Sequence, residues 1–434
     1  MKIEIDDNRK WQHSLTLKLI LLGVMGLFFL IPLEMIKSVI RERQETSENV
    51  KKEIAFQWSG EQIVSGPVLN IPVKYPSPAT APETYTKRIL HIMPDNLEIS
   101  GTVRSEKRHR SIYRAIVYEA DLVLSGDFAI PQPQGENSEL MWDDCYYTIG
   151  ISDNRGLKGP VSMNAGPSVI EAVPGLRDSE VFPTGITFPG AAGSKAERMP
   201  FKVKIRLAGS ESLDFTPLGR NTNIKLESDW ASPRFSGNFL PAERKISESG
   251  FSAAWSVTNL NRNFPQSWTG ASFSPGIDSF GVDFVIPVDH YQKSLRSAKY
   301  GILFIALTFL ALLFVEMSGN ERLHIFHYLL VSLALILFFS LLNALGEQTG
   351  FGLAYLISSV STIGLIFLFL WKLVRNKRTV ILIAALLMFL YSFIYVLLTL
   401  NDYAYLAGNV GLFILLAVTM MLSLRLKAFN ESAE

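Results

Sequence analysis

AKYGILFIALTFLALLFV (298–315), FHYLLVSLALILFFSLLNAL (326–345), GFGLAYLISSVSTIGLIFLFLW (350–371), VILIAALLMFLYSFIYVLLTL (380–400) and LAGNVGLFILLAVTMMLSL (406–424) follow one another with only short polar breaks. Each approaches the roughly 20 residues that a helix needs to cross about 30 Å of hydrocarbon. None has a charged residue in its interior. A helix half-buried in a water-soluble core would carry a polar stripe at helical spacing, and these do not. The five runs therefore read as membrane spans, and the rest of the chain is delivered to them.

A sixth run lies upstream at 15–36, LTLKLILLGVMGLFFLIPLEMI, after Lys2, Arg9 and Lys10. A cleavable signal would end in small residues. This one ends in Phe-Leu-Ile-Pro-Leu-Glu, so it reads as an uncleaved anchor, with Pro32 expected to kink it. Lys and Arg in the short loops set the orientation. Arg322 lies between spans two and three. Lys372, Arg375, Lys377 and Arg378 lie between four and five, and Arg425 and Lys427 follow span six. The intervening loops, GEQT and NDYAY, hold neither residue type. The alternation places both termini (1–14 and 425–434) in the cytoplasm and residues 37–298 outside.

Residues 37–57 are rich in helix formers and lack Gly and Pro, which predicts a helical stalk continuing from the first span. Beyond it, 58–297 changes texture. Pro, Gly, Ser and Asn punctuate short runs rich in β-branched and aromatic residues, the mark of a mainly antiparallel β domain, with two stacked sheets as one arrangement. In FKVKIRL (201–207), Phe201, Val203, Ile205 and Leu207 alternate with three cations, so one face is buried and the other wet. VLNIPV (68–73), RILHIM (88–93), LEISGTV (97–103), CYYTIGI (145–151), NIKLES (223–228), FSAAWSV (251–257) and FGVDFVI (280–286) read the same way. Residues 111–128 suggest a long strand with a bend, and 289–300 a helix forming one rod with span two.

The chain is 434 residues long with a net charge of +1, and no basic run interleaves with aromatics, which argues against nucleic acid as a partner. The lone cysteine, Cys145, cannot form an internal disulfide and reads as a buried small hydrophobe. Zinc-protease, nucleophile-elbow, phosphate-loop and dinucleotide motifs are absent. His324 and His327 stand three apart at the edge of a span and read as interfacial rather than metal-binding. Asp143 and Asp144 read as a solvated turn. No cofactor, metal or catalytic residue is expected, and the protein reads as non-enzymatic. Ionisable groups near the spans (Lys18, Glu34, Lys299, Glu316, Glu347) sit at span ends or in loops. Neutral polar groups such as Asn343, Ser358, Ser359, Ser361, Thr362 and Asn409 fit helix packing.

One stretch is more distinctive: TPLGRNTNIKLESDWASPRFSGNFLPAERKISESGFSAAW (216–255). With SGPVLNIPV (65–73), GISDNRGL (150–157), VDFVIPVDHYQKSLRSAKYGILFIALTFL (282–310) and RLHIFHYLLVSLAL (322–335), it resembles the CreD family of bacterial inner-membrane proteins. The resemblance implies an inner-membrane location, a periplasmic β domain, and a role tied to cell-envelope integrity or envelope-stress response. It brings no catalytic residues. Within the motif, Arg220, Asn221, Trp230, Phe235, Phe251 and Trp255 form the candidate interaction surface. A periplasmic or membrane protein is the partner class this reading leaves open, besides the lipid bilayer itself. Two alternatives stand beside it: a transporter or export component for a lipid or amphipathic solute, and an envelope-modifying enzyme using Asp143, Asp144 or Arg220.

Overall fold

The computed structural model describes residues 15–76, 85–110, 113–130, 139–190, 197–273, 275, 278–285, 290–318 and 323–400, together with 406, 409, 410, 413, 417 and 420. The expected span at 406–424, those six positions apart, and the expected tails at 1–14 and 425–434 lie outside the described residues. The chain separates into two compact units, Glu48–Pro287 and Met1–Ser47 with Val288–Glu434.

The first unit is built on two sheets. One holds β1 (Gln62–Pro76), β2 (Tyr85–Ile92), β5 (Glu139–Leu140), β6 (Tyr146–Ile151), β9 (Val173–Pro174), β10 (Gly185–Pro189), β12 (Ser212–Thr216), β14 (Pro233–Gly237), β17 (Ser267–Thr269) and β18 (Phe280–Phe284). Its main path runs β14-β18-β12-β1-β6-β10-β9. The other holds β3 (Asn96–Arg110), β4 (Tyr113–Ala129), β7 (Ser162–Ala165), β8 (Ser168–Glu171), β11 (Arg198–Ser210), β13 (Asn221–Ser228), β15 (Glu243–Ser247) and β16 (Gly250–Thr258). Its order is β15-β16-β13-β3-β4-β11-β7-β8.

Alternation in the sequence becomes the two faces of this second sheet. Phe201, Val203, Ile205 and Leu207 of β11 are buried, while Lys202, Lys204 and Arg206 are exposed. Leu97, Ile99 and Val103 of β3 follow the same rule. Inward residues of both sheets meet in one hydrophobic core, in which Phe128 of β4 lies 5.7 Å from Tyr147 of β6. The pairing of these strands is mainly antiparallel, as the sequence predicts. β4 is one continuous strand, paired residue for residue with β3 and β11 without a register shift. Two pairings are parallel, β1 with β12 and β3 with β13.

The start of β1 is tied to the helix that precedes it. Ser59 and Gln62 are fully buried. The Gln62 amide donates to Ser59 Oγ at 2.7 Å, to the Asp153 carbonyl at 3.0 Å and to the Ala208 carbonyl at 3.1 Å. Asp153 accepts from the Gly60 amide at 3.0 Å, and Arg155 donates to the Phe56 carbonyl at 3.0 Å. The Arg155 guanidinium beside Asp153 holds that carboxyl well below the usual carboxylate range.

Asp214 on β12 shifts the other way. Burial, helped by Asp283 and Glu61, pushes its carboxyl up to about 6, against a weaker opposing hydrogen bond from Ser212. The folded value exceeds the unfolded one, so the group's stabilising contribution is complete below about pH 4 and is lost as pH rises through about 6. Asp214→Asn is therefore expected to stabilise the protein at pH 8 by roughly 1–2 kcal/mol after allowance for solvent screening, with little effect near pH 3. Melting curves of the two proteins at both pH values check this.

The second unit is helical. α1 (Leu15–Phe28) and α2 (Leu30–Trp58) are separated by a turn at Phe29; the boundary between the units falls inside α2. Pro32 has no N–H to offer the Phe28 carbonyl, so the regular ladder is interrupted at Phe29, while Phe29 and Leu33 keep their bonds to the Met25 and Phe29 carbonyls and the helix continues. α3 (His290–Lys299) and α4 (Gly301–Ser318) bend by 42° instead of forming the expected rod. Gly301 stands at that bend. A Cβ there would come within 2.7 Å of the Leu33 side chain, so the glycine lets α2 pack closely at the bend without displacing that leucine. α5 (Ile325–Thr349), α6 (Phe351–Leu373) and α7 (Lys377–Thr399) complete the described helices.

Among the described residues, four helices are long and apolar enough to cross a membrane, with Leu17–Trp58 (α1 and α2) counted as one, or five if α3 and α4 make one span. Leu329, Leu333, Leu337 and Leu341 stand on one face of α5 and are all exposed. A stripe at this spacing that is both exposed and wholly apolar suits lipid and not water. Inside, Phe304, Phe338, Tyr355 and Tyr391 from four helices form an aromatic centre, with Tyr391 4.6 Å from Phe304 and 4.7 Å from Phe338. Asn343, Ser358, Ser359 and Thr362 are buried against neighbouring helices, while Ser361 and Asn409 are exposed. Lys18 of α1 pairs with Glu316 of α4, each side chain about four-fifths buried. Lys18 also donates to the Leu323 carbonyl at 2.9 Å, and the Tyr328 hydroxyl donates to Glu316 at 3.1 Å.

Candidate functional site

The distinctive 216–255 segment divides into core and surface. Trp255 and Phe251 on β16 are buried, as is Trp230 after β13. Phe235 on β14 is half-buried and packs edge-on against Phe251 and Trp255, 5.7 Å from each. These aromatics close the two sheets over one another. Trp230 also donates its indole N–H to the Ser232 carbonyl at 3.0 Å. Arg220 and Asn221 are exposed. Their backbone amides donate to the carbonyls of Pro94 and Asp95, which brings the start of β13 beside the start of β3. Arg220 Nε then lies 2.7 Å from Asp95, and Arg198 bridges Asp95 and Asp127 at 3.5 and 3.0 Å. The Arg220 carbonyl accepts from Asn259, which fixes the turn Asn259–Asn261 beside this network. Leu260 projects from that turn, 90% exposed.

A second cluster lies on the first sheet, and sequence spacing does not announce it. Leu69 and Tyr147 are opposite one another and face the core, so their neighbours Asn70 and Tyr146 point to the other face. Register then lines up four residues in a row across four strands: Tyr146 on β6, Asn70 on β1, His91 on β2 and Trp268 on β17. Asn70, His91 and Thr148 are buried. What covers them is the connection between β9 and β10. Phe182 of that connection lies over Gly150, where a Cβ would come within 2.8 Å of the ring. The absence of a side chain at Gly150 thus lets the segment settle on the sheet.

The same connection carries Asp178 and Glu180. His91 Nε2 lies 3.0 Å from Glu180 Oε2, and His91 Nδ1 lies 2.7 Å from Asn70 Oδ1. Asp178 accepts the Tyr146 hydroxyl on one oxygen and the Glu180 amide, at 3.1 Å, on the other. Burial and the Asp178 carboxylate together hold the Tyr146 phenol far above its ordinary range, so it remains a donor. Ligand atoms of His91, Asp178 and Glu180 all lie within 4.8 Å of one another. His91 is fully buried, while Glu180 remains about one-third exposed.

Other sequence candidates have structural roles. Asp143 and Asp144 lie exposed in a short turn, with Asp144 3.1 Å from Lys87. Cys145 is buried and donates its thiol to the Trp142 carbonyl. His324 and His327 cap the first turn of α5: His324 Nδ1 accepts from the Phe326 amide and His327 Nδ1 from the His324 amide, each at 3.2 Å.

Apolar helices before and after a large two-sheet β unit define a membrane protein that carries a folded domain between its spans. The chain belongs to the CreD family, whose model, described as inner membrane protein CreD, matches residues 14–428. Inner membrane protein CreD of Escherichia coli (strain K12) is 34% identical over 350 residues, covering 77% of this chain and 76% of that protein. Two crystal structures of an M1 zinc metallopeptidase from Deinococcus radiodurans align over 38% of this chain, and 39% and 38% of theirs, at 9% identity. Their TM-scores are 0.18 and 0.19, and the likeness carries no argument.

Proposed function

We propose that this protein is a non-enzymatic, six-span inner-membrane protein that supports cell-envelope integrity or the envelope-stress response through its β unit. In this reading both termini are cytoplasmic, residues 37–298 are periplasmic, and the partner is a periplasmic or membrane protein. Family membership supports the location, and the alternation of Lys and Arg between loops supports the orientation.

The observation that carries the contact reading is Leu260, an almost fully exposed apolar side chain set beside the ion network of Arg220, Asp95, Arg198 and Asp127. An exposed apolar side chain beside a network of charged residues suits a contact surface with a polar rim. Cells lacking the gene are expected to become sensitive to envelope stressors. Wild-type protein should restore resistance, whereas Leu260→Asp and Arg220→Glu should fail to restore it at equal protein levels. Full rescue by both variants would eliminate this surface; unchanged resistance on deletion would eliminate the role.

A further inference from the structure

We infer that His91, Asp178 and Glu180 form a binding site for one divalent transition-metal cation of the zinc class, a feature independent of the partner contact proposed above. The Asn70 amide fixes the histidine tautomer. Its nitrogen donates to Thr148 Oγ1 at 3.0 Å and reaches toward the Val68 carbonyl at 3.4 Å, so its oxygen is the atom facing His91 Nδ1. An amide oxygen only accepts, so Nδ1 carries a hydrogen. Nε2 therefore faces a Glu180 carboxylate oxygen 3.0 Å away, and a positive centre must lie between them: a proton, as an imidazolium–carboxylate pair, or a metal cation.

A metal ion meets that requirement. Zinc binds imidazole nitrogen and carboxylate oxygen at about 2.0–2.2 Å, so neighbouring ligand atoms stand roughly 3.0–3.5 Å apart. The His91–Glu180 spacing falls there, and Asp178 brings a third ligand within 4.8 Å. The supporting groups are those that metal sites use. An oxygen holds the far nitrogen of the histidine, and the Tyr146 hydroxyl and Glu180 amide hold Asp178. Burial of His91 fixes the nitrogen ligand, while partial exposure of the two carboxylates gives the ion a way in. One nitrogen and two oxygens suit zinc and its spectroscopic substitute cobalt better than calcium or magnesium.

The test uses tag-free full-length protein in detergent, stripped with chelator and titrated with Zn2+ by calorimetry and with Co2+ by visible absorption. One saturable ion per chain is expected, with a cobalt spectrum of low-symmetry nitrogen and oxygen coordination and a melting temperature raised by Zn2+. Glu180→Gln and Asp178→Asn lie on the half-exposed connection and should fold; each should weaken binding roughly tenfold or more. His91→Gln, checked for folding by circular dichroism, should abolish the cobalt spectrum. Absence of saturable binding in the wild type would overturn the assignment and leave a proton as the shared positive centre. Equal binding in Glu180→Gln and Asp178→Asn would overturn it too, placing the ion elsewhere.

Discussion

Lys18→Met is expected to destabilise the helical unit by about 3–5 kcal/mol, the usual consequence of stranding one partner of a buried ion pair. Lys18 is the cation that meets Glu316, and it also satisfies the Leu323 carbonyl next to the start of α5. Without it, Glu316 keeps only the Tyr328 hydroxyl among the described residues, with its side chain about four-fifths buried. The double variant Lys18→Met, Glu316→Leu removes both charges and is expected to recover most of the loss. Denaturation of the purified protein in detergent measures all three variants. A double variant as unstable as Lys18→Met would mean that packing, not charge, joins α1 to α4.

Gln62→Leu is expected to cost the β unit roughly 1–3 kcal/mol, since the buried Ala208 carbonyl loses the amide that donates to it and the Asp153 carbonyl keeps the Gly156 amide alone of the two. Gln62→Glu keeps the shape but aims a carboxylate at those carbonyls, so it should be at least as damaging. Both effects concentrate where Ser59 and Gly60 join the end of α2 to the sheets, and Ser210 adds a bond to the Ser59 carbonyl at 2.8 Å. Melting of the full-length variants, followed by tryptophan fluorescence, checks the size and the order. A Gln62→Glu protein as stable as wild type would show that the amide's bonds carry no net weight.

Helices and strands were legible in the sequence wherever one periodicity held over a long run. The β11 alternation and the uncharged apolar runs are the clearest cases, because burial of one face, or of all faces in lipid, leaves a pattern that local chemistry cannot hide. The parallel pairings were not legible, since nothing local in QIVS (62–65) or LEISGTV (97–103) names a partner far along the chain. The aromatics of the 216–255 segment were visible as residues of consequence, yet Trp230, Phe251 and Trp255 serve the core, and only Arg220 and Asn221 reach the surface. The His91 cluster escaped for a different reason. Its three members are joined by register and by a covering connection, so their sequence separation hides them. A signal was present in RILHIM, where a histidine occupies an apolar strand with no polar face, and in Asp-Ser-Glu at 178–180.

The parallel pairings have a consequence for how the domain is made. Ser65 on β1 bonds to Thr216, 151 positions later, and Ser105 on β3 bonds to Asp229, 124 positions later. At synthesis rates of about 5–20 residues per second, β1 waits roughly 8–30 s for its neighbour to emerge. During that interval its edge is open to any passing strand, and loop closure over so long a segment keeps the search slow. The nascent chain is therefore a customer for holding chaperones until the second half has been delivered, and truncation before β12 leaves an aggregation-prone fragment in place of a smaller domain.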